Sequence, residues 1–168
     1  MFGEHNPGGK LTVTFPKSVG QIELNFPFKP GSHGSQPKSG PNGSGATSVS
    51  AFAYSDLEVS PLRQRTQGEY TVKVNVTNTG KRAGDEVVQL YVRDKVSSVI
   101  TYDSQLRGFE RISLKPGETR QVTFSLKPED LQILDRNMNW TVEPGEFEVM
   151  IGASSQDIRL KKTITALP

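Results

Sequence analysis

Apolar and polar residues alternate strictly over much of the chain's second half. Tyr70, Val72, Val74 and Val76 fall on one face of an extended segment, and Thr71, Lys73, Asn75 and Thr77 on the other. A period of two is the signature of a strand with one face buried. It recurs in Val88, Leu90 and Val92 against Gln89, Tyr91 and Arg93, and in Val122, Phe124 and Leu126 against Thr123, Ser125 and Lys127. A fourth run sets Phe147, Val149 and Ile151 against Glu146, Glu148 and Met150. Turn chemistry separates the runs at Asn78-Thr79-Gly80, Lys115-Pro116-Gly117-Glu118 and Glu143-Pro144-Gly145-Glu146, where proline presets the first turn angle and glycine takes the positive one. Pro128-Glu129-Asp130-Leu131 is the one helix-like start, long enough for a single turn. About seven strands with no long helical period between them predict an all-β fold, an antiparallel sandwich. Trp140, the only tryptophan, is expected in or beside its core.

The first third of the chain follows a different pattern. Residues 1–27 hold the turn signal Asn6-Pro7-Gly8-Gly9, then the alternating run Leu11-Thr12-Val13-Thr14-Phe15 closed by Pro16, and then Ile22, Leu24 and Phe26. Two short strands bury too little surface to stand alone. From Lys29 to Ser50, fourteen of the twenty-two residues are Gly, Ser or Pro, so ordering them would lose backbone entropy with little burial in return. The expected organisation is an N-terminal extension over 1–27, a flexible linker over 28–51 and the sandwich over 52–168. An unpaired apolar strand is also an association hazard, so self-association through the N-terminal strand is a candidate behaviour.

Composition narrows the function. The hydrophobic fraction of 33% and mean hydropathy of −0.49 are low for one packed body and agree with a linker. Twenty Lys and Arg against eighteen Asp and Glu leave a net charge of +2 with interspersed signs, which provides no electrostatic footprint for nucleic acid. No apolar run reaches the ~18 residues of a membrane span, so neither nucleic acid nor membrane is an expected partner. With no cysteine there is neither a disulfide nor a thiol nucleophile.

Candidate chemistry is sparse. Glu4 and His5 beside Gly8 and Gly9 read as a structural turn, because no helix start or second ligand cluster follows. His33 has no metal-ligand neighbour at zinc spacing. No cofactor and no metal is expected. The carboxylate pairs Asp85/Glu86, Glu129/Asp130 and Glu146/Glu148 invite a glycosidase reading, but they fall in turns or on expected solvent faces, away from any cleft that would raise one pKa. Tyr91, Tyr102 and Trp140 are the candidates for stacking on a sugar ring, with core or interface packing as the plainer role.

The ordered motifs resemble a known family. Asn78-Thr79-Gly80 precedes Gly84-Asp85-Glu86-Val87-Val88-Gln89-Leu90-Tyr91-Val92. Leu106-Arg107-Gly108-Phe109-Glu110-Arg111-Ile112 follows with Leu114-Lys115-Pro116-Gly117-Glu118, then Trp140 with Glu143-Pro144-Gly145. Together these resemble the fibronectin type III-like domain that ends many glycoside hydrolase family 3 enzymes of the β-glucosidase kind. Phe2-Gly3-Glu4-His5-Asn6-Pro7-Gly8-Gly9 through Phe15-Pro16 resembles the closing segment of the α/β sandwich domain that precedes it. The sequence departs from that pattern before Phe52, where relatives usually carry an aromatic, glycine-rich stretch and this chain runs directly from Ser48-Val49-Ser50-Ala51 into Phe52-Ala53-Tyr54-Ser55.

The resemblance implies a C-terminal accessory region. Residues 1–27 would be the remnant of the α/β sandwich domain, and the partners would be the upstream barrel and α/β sandwich domains. Those domains would supply the Asp nucleophile and Glu acid/base of a retaining enzyme that releases terminal β-D-glucosyl residues. This chain would brace them without catalysing. The rival reading is a carbohydrate- or polymer-binding module acting through exposed aromatics, with polysaccharide as partner. The family also suggests a periplasmic or extracellular location.

Overall fold

The computed structural model describes residues 52–168. The N-terminal extension and the linker expected over 1–51 lie outside the described residues. The elements in order are β1 (Phe52–Ser60), β2 (Arg63–Arg65), β3 (Tyr70–Asn78), β4 (Gly84–Asp94), β5 (Gln105–Leu114), β6 (Thr119–Leu126), α1 (Pro128–Leu131), β7 (Ile133–Leu134), β8 (Trp140–Thr141), β9 (Gly145–Ser154) and β10 (Asp157–Leu167). Seven strands are long, and β2, β7 and β8 are short additions. The expected all-β sandwich is what forms.

A three-stranded sheet ordered β1-β3-β6 faces a five-stranded sheet ordered β2-β10-β9-β4-β5, and β7 and β8 form a small separate ribbon. Every long pairing is antiparallel; the short β2 runs parallel to β10. β3 sits between β1 and β6, so its alternating face is fully enclosed: Tyr70, Val72, Val74 and Val76 are all buried. Val88, Leu90 and Val92 of β4, Ile112 and Leu114 of β5, and Phe147, Val149 and Ile151 of β9 close the core from the other sheet. The Tyr70 hydroxyl crosses that core and donates to the carbonyl of Thr165 on β10, 3.0 Å away, which ties one sheet to the other. A buried hydroxyl needs such an acceptor.

Two expectations about turns and packing are corrected. Among the described glycines only Gly117 takes a positive φ, +74°. There the Glu118 amide donates to the Lys115 carbonyl at 3.0 Å, closing the Lys115–Glu118 turn as its sequence predicts. At Asn78-Thr79-Gly80 the side chain makes the turn instead, because Asn78 Oδ1 accepts from the Gly80 amide at 2.9 Å. Gly145 opens β9 directly. Trp140 does not enter the core but is 68% exposed. It belongs to β8, which pairs only with β7 and so lies off both main sheets; Ile133 takes the buried position in that ribbon.

The outer face of the five-stranded sheet is also less polar than alternation suggests. Tyr91 and Met150, opposite each other in the β4–β9 ladder, are both buried although they sit on the polar side of their runs.

Candidate functional site

Register places the site at one pole of the sandwich. Phe52 pairs with Asn78 and Gly84 with Leu114, so the described chain enters at one end. Tyr70 opposite Leu126 and Asp94 opposite Phe147 mark the other end. There the β4–β5 connection, α1 and the β7–β8 ribbon gather around an open groove of about 480 Å³. Val99, Ile100 and Tyr102 come from the connection, Gln105 and Arg107 from β5, Glu129 from α1, and Ile133, Leu134 and Trp140 from the ribbon.

Local chemistry holds these pieces in place. The β4–β5 ladder shifts register between Leu90, opposite Gly108, and Tyr91, opposite Leu106, which leaves Arg107 as the extra residue. A bulge re-aims a side chain: Gly108 lies against Phe124 and Leu90 in the core, whereas Arg107 lines the groove. The Arg107 guanidinium donates to Gln105 Oε1, but its Nε–H is enclosed without an acceptor. Burial lowers the Arg107 pKa, and the charge of Asp130 opposes that shift. The connection is anchored where the Ser98 amide donates to Glu143 Oε2 at 2.9 Å and Arg136 donates to the Ser98 carbonyl at 3.3 Å. In α1 the Lys127 amide donates to the Asp130 carboxylate at 2.8 Å.

Asp135 builds the ribbon's turn. Its Oδ1 accepts from the amides of Asn137 and Asn139, each at 2.8 Å, and Met138 sits between them with a φ of 65°. Hydrogen bonding from the Asn139 amide, and then from that of Asn137, holds the Asp135 carboxyl below the usual range. A depressed pKa contributes stability above the unfolded value of about 3.9 that is lost as pH falls through the folded value. Trp140 emission should therefore shift in acid below about pH 4, before the far-ultraviolet strand signal is lost. Asp135→Asn should remove that early step; an unchanged emission titration in the variant would refute the assignment.

The structure separates the three aromatics considered for stacking. Tyr102, 38% exposed, and Trp140 both line the groove. Tyr91 is only 3% exposed, on the outer face of the five-stranded sheet, with its hydroxyl donating to Gln89 Oε1. It offers no face to a ligand. Burial raises its pKa.

The carboxylate pairs do not meet across a cleft. Asp85 is bound by Arg111 and by the Ser113 hydroxyl, Glu146 by Lys95 at 3.0 Å, and Glu148 by Lys161 at 3.4 Å. Glu86 corrects the solvent-face expectation. It shares the parity of Val88 and Leu90 and is buried, next to the enclosed hydroxyl of Tyr54. Burial first, and the Glu86 charge second, push the Tyr54 pKa well above its normal value, while Arg159, 5.9 Å from the ring centroid, acts in the opposite direction. Among the described residues no three His, Asp or Glu side chains gather as metal ligands, and no helix is long and apolar enough to cross a membrane.

Sequence reasoning missed Arg107 and Gln105, which alternation cannot assign to a pole, and it set Glu129 away from any cleft, whereas α1 brings Glu129 to the groove. It also missed an exposed apolar pair on β5: Phe109 is 68% and Leu106 43% exposed. They lie opposite Gln89 and Tyr91 on the outer face of the sheet.

Comparison with known proteins agrees with this architecture. Residues 86–155 match the fibronectin type III-like domain family. A β-xylosidase from Formosa agariphila is 44% identical over 96% of this chain, which covers 23% of that enzyme. The periplasmic β-glucosidase of Salmonella typhimurium is 37% identical over 95% of this chain and 23% of its own length. Thermostable β-glucosidase B of Acetivibrio thermocellus is 39% identical over 98% and 24%. The chain thus spans about a quarter of the length of the curated relatives it matches. Among solved structures, a β-glucosidase from Erythrobacter marinus superposes with a TM-score of 0.67 at 38% identity, over 70% of this chain and 16% of that one. A β-glucosidase from Listeria innocua superposes at 0.66 and 29% identity, over 72% and 16%. The chain belongs to the C-terminal part of the glycoside hydrolase family 3 enzymes, and its sandwich is their fibronectin type III-like domain.

Proposed function

We infer that this domain is a non-catalytic support that packs against the catalytic domains of a retaining glycoside hydrolase, whose activity is release of terminal β-D-glucosyl residues. The carrying observation is the exposed pair Phe109 and Leu106, neighbours on the outer face of the edge strand β5. Adjacent apolar side chains left in solvent on one sheet face form the kind of contiguous patch that marks an interaction surface. The chain spans only about a quarter of the length of these relatives, which supports the presence of a body that covers this patch. That Asp85, Glu146 and Glu148 are held in ion pairs and Glu86 is buried supports the non-catalytic role. The family resemblance assigns the Asp nucleophile and Glu acid/base to the barrel and the α/β sandwich domain, with residues 1–27 as the end of the latter and 28–51 as the link.

Phe109→Glu separates bracing from a merely exposed residue. In the 168-residue chain it should leave the melting temperature within about 2 °C, since surface substitutions usually stay within about 0.5 kcal/mol. In the full-length enzyme, assayed on aryl β-glucoside and aryl β-xyloside because the relatives bear both names, it should shorten the half-life at elevated temperature severalfold. An unchanged half-life would sink the bracing role.

A further inference from the structure

We propose that the groove, whose lining mixes apolar and polar side chains, holds a neutral saccharide, with Trp140 and Tyr102 as the stacking surfaces and Arg107 as the principal hydrogen-bond donor. This site is distinct from the Leu106/Phe109 face. Leu106 and Phe109 lie on the outer side of the sheet, while the bulge turns Arg107 between them into the groove. The chain enters the domain at Phe52, at the opposite pole.

Three observations select the ligand class. First, the enclosed Nε–H of Arg107 has no acceptor in the protein. An unsatisfied donor on a groove-lining guanidinium is unfavourable, so an occupant rich in oxygen, to which Arg107 can turn, suits this wall better than a purely apolar one. Second, the aromatic surfaces stand beside side chains that both donate and accept: Gln105 and Gln132 as amides, and Glu129 as acceptor. A pyranose ring has an apolar C–H face for the aromatics and a rim of hydroxyls for these groups. Third, Arg107 is balanced by Glu129 in the lining and by the nearby charge of Asp130, so the groove has no excess positive charge to select an anion. Its volume of about 480 Å³ lies within the roughly 300–1,000 Å³ of small-ligand sites.

The chain reports on this groove directly, since Trp140 is its only tryptophan. Titrating the 168-residue protein with xylohexaose and with cellohexaose should give a saturable change in Trp140 emission for at least one of them, half-complete below about 5 mM. Tyr102→Ala should weaken that titration about tenfold, and Arg107→Gln about fivefold or more, with melting temperatures unchanged. If Arg107→Gln does not fold, Tyr102→Ala decides alone, because Tyr102 is partly exposed and outside the core. No saturable change with either sugar up to about 20 mM would overturn the proposal. So would a change that both variants leave intact. Acrylamide should quench Trp140 freely in the sugar-free chain; a shielded tryptophan would show that another segment or a second copy already fills the groove, which also overturns it.

Discussion

Asn78→Asp is expected to destabilise the sandwich by about 3 kcal/mol, although it changes one amide to a carboxylate of the same shape. Asn78 is 2% exposed at the end of β3. Its Nδ2 donates to the carbonyls of Arg82 at 2.8 Å and Leu114 at 3.0 Å, and its Oδ1 accepts from the Gly80 amide. Its backbone takes part too, donating to Glu118 and accepting from Gly117. One residue therefore joins the β3–β4 turn, the end of β5 and the β5–β6 turn. Aspartate keeps the acceptor but replaces the donor with a second oxygen facing two carbonyls. Two hydrogen bonds become repulsions around a buried charge. The melting temperature should fall by about 10 °C.

The pH dependence of this variant provides a second signature. Burial against carbonyls raises the folded pKa of the new carboxyl above the unfolded value of about 3.9. A raised pKa favours the protonated folded form, so the deficit should be smallest below about pH 4 and grow as pH rises through the folded pKa. A variant that melts with the parent at neutral pH would contradict the keystone role.

Gly152→Ala is expected to cost about 2–3 kcal/mol through overpacking against backbone. A Cβ at this position would lie 2.2 Å from the Asp157 carbonyl oxygen and 2.8 Å from the Ile158 Cα. The β9–β10 ladder is irregular at that point, with shifts at Asp157/Ile158 and Ile158/Leu160, and the returning strand presses directly on β9. Gly152 also lies opposite Gln89 in the β4 ladder, so β9 cannot move away without disturbing β4. Gly145→Ala is the control: a Cβ there has nothing within 4 Å, and its effect should stay within about 0.5 kcal/mol. Urea midpoints of the two variants would test the contrast, and equal midpoints would sink the steric account.

Much of the fold is legible in the chain because alternation is a local property. Tyr70 to Val76 and Val122 to Leu126 announce their buried faces within a few residues, and Lys115-Pro116-Gly117-Glu118 announces its turn. Glu86 was legible in principle, since it shares the parity of Val88 and Leu90, but its charge argued for solvent. Trp140 was misplaced because hydrophobicity gives no account of which sheet a two-residue strand joins. Tyr91 and Met150 were misassigned because alternation identifies two faces of a strand without saying whether the second is also covered. The candidate site was less legible still. Tyr102 and Trp140 could be named from residue type, but Arg107 joins them only through a register shift of the ladder.

The sequence by itself determined the all-β class, a count of about seven strands, the core faces of β3, β4, β6 and β9, and the likeness to a fibronectin type III-like domain. Each rests on patterns a few residues long, or on ordered motifs that survive without knowledge of neighbours. Only the tertiary structure decided that Asn78 bridges three segments, that Glu86 is buried beside Tyr54, that Phe109 stands in solvent, and that Arg107, Tyr102 and Trp140 share a groove. Those are relations between residues far apart in the chain, set by strand order, bulges and register, and a single irregularity in a ladder reverses the face on which a side chain appears.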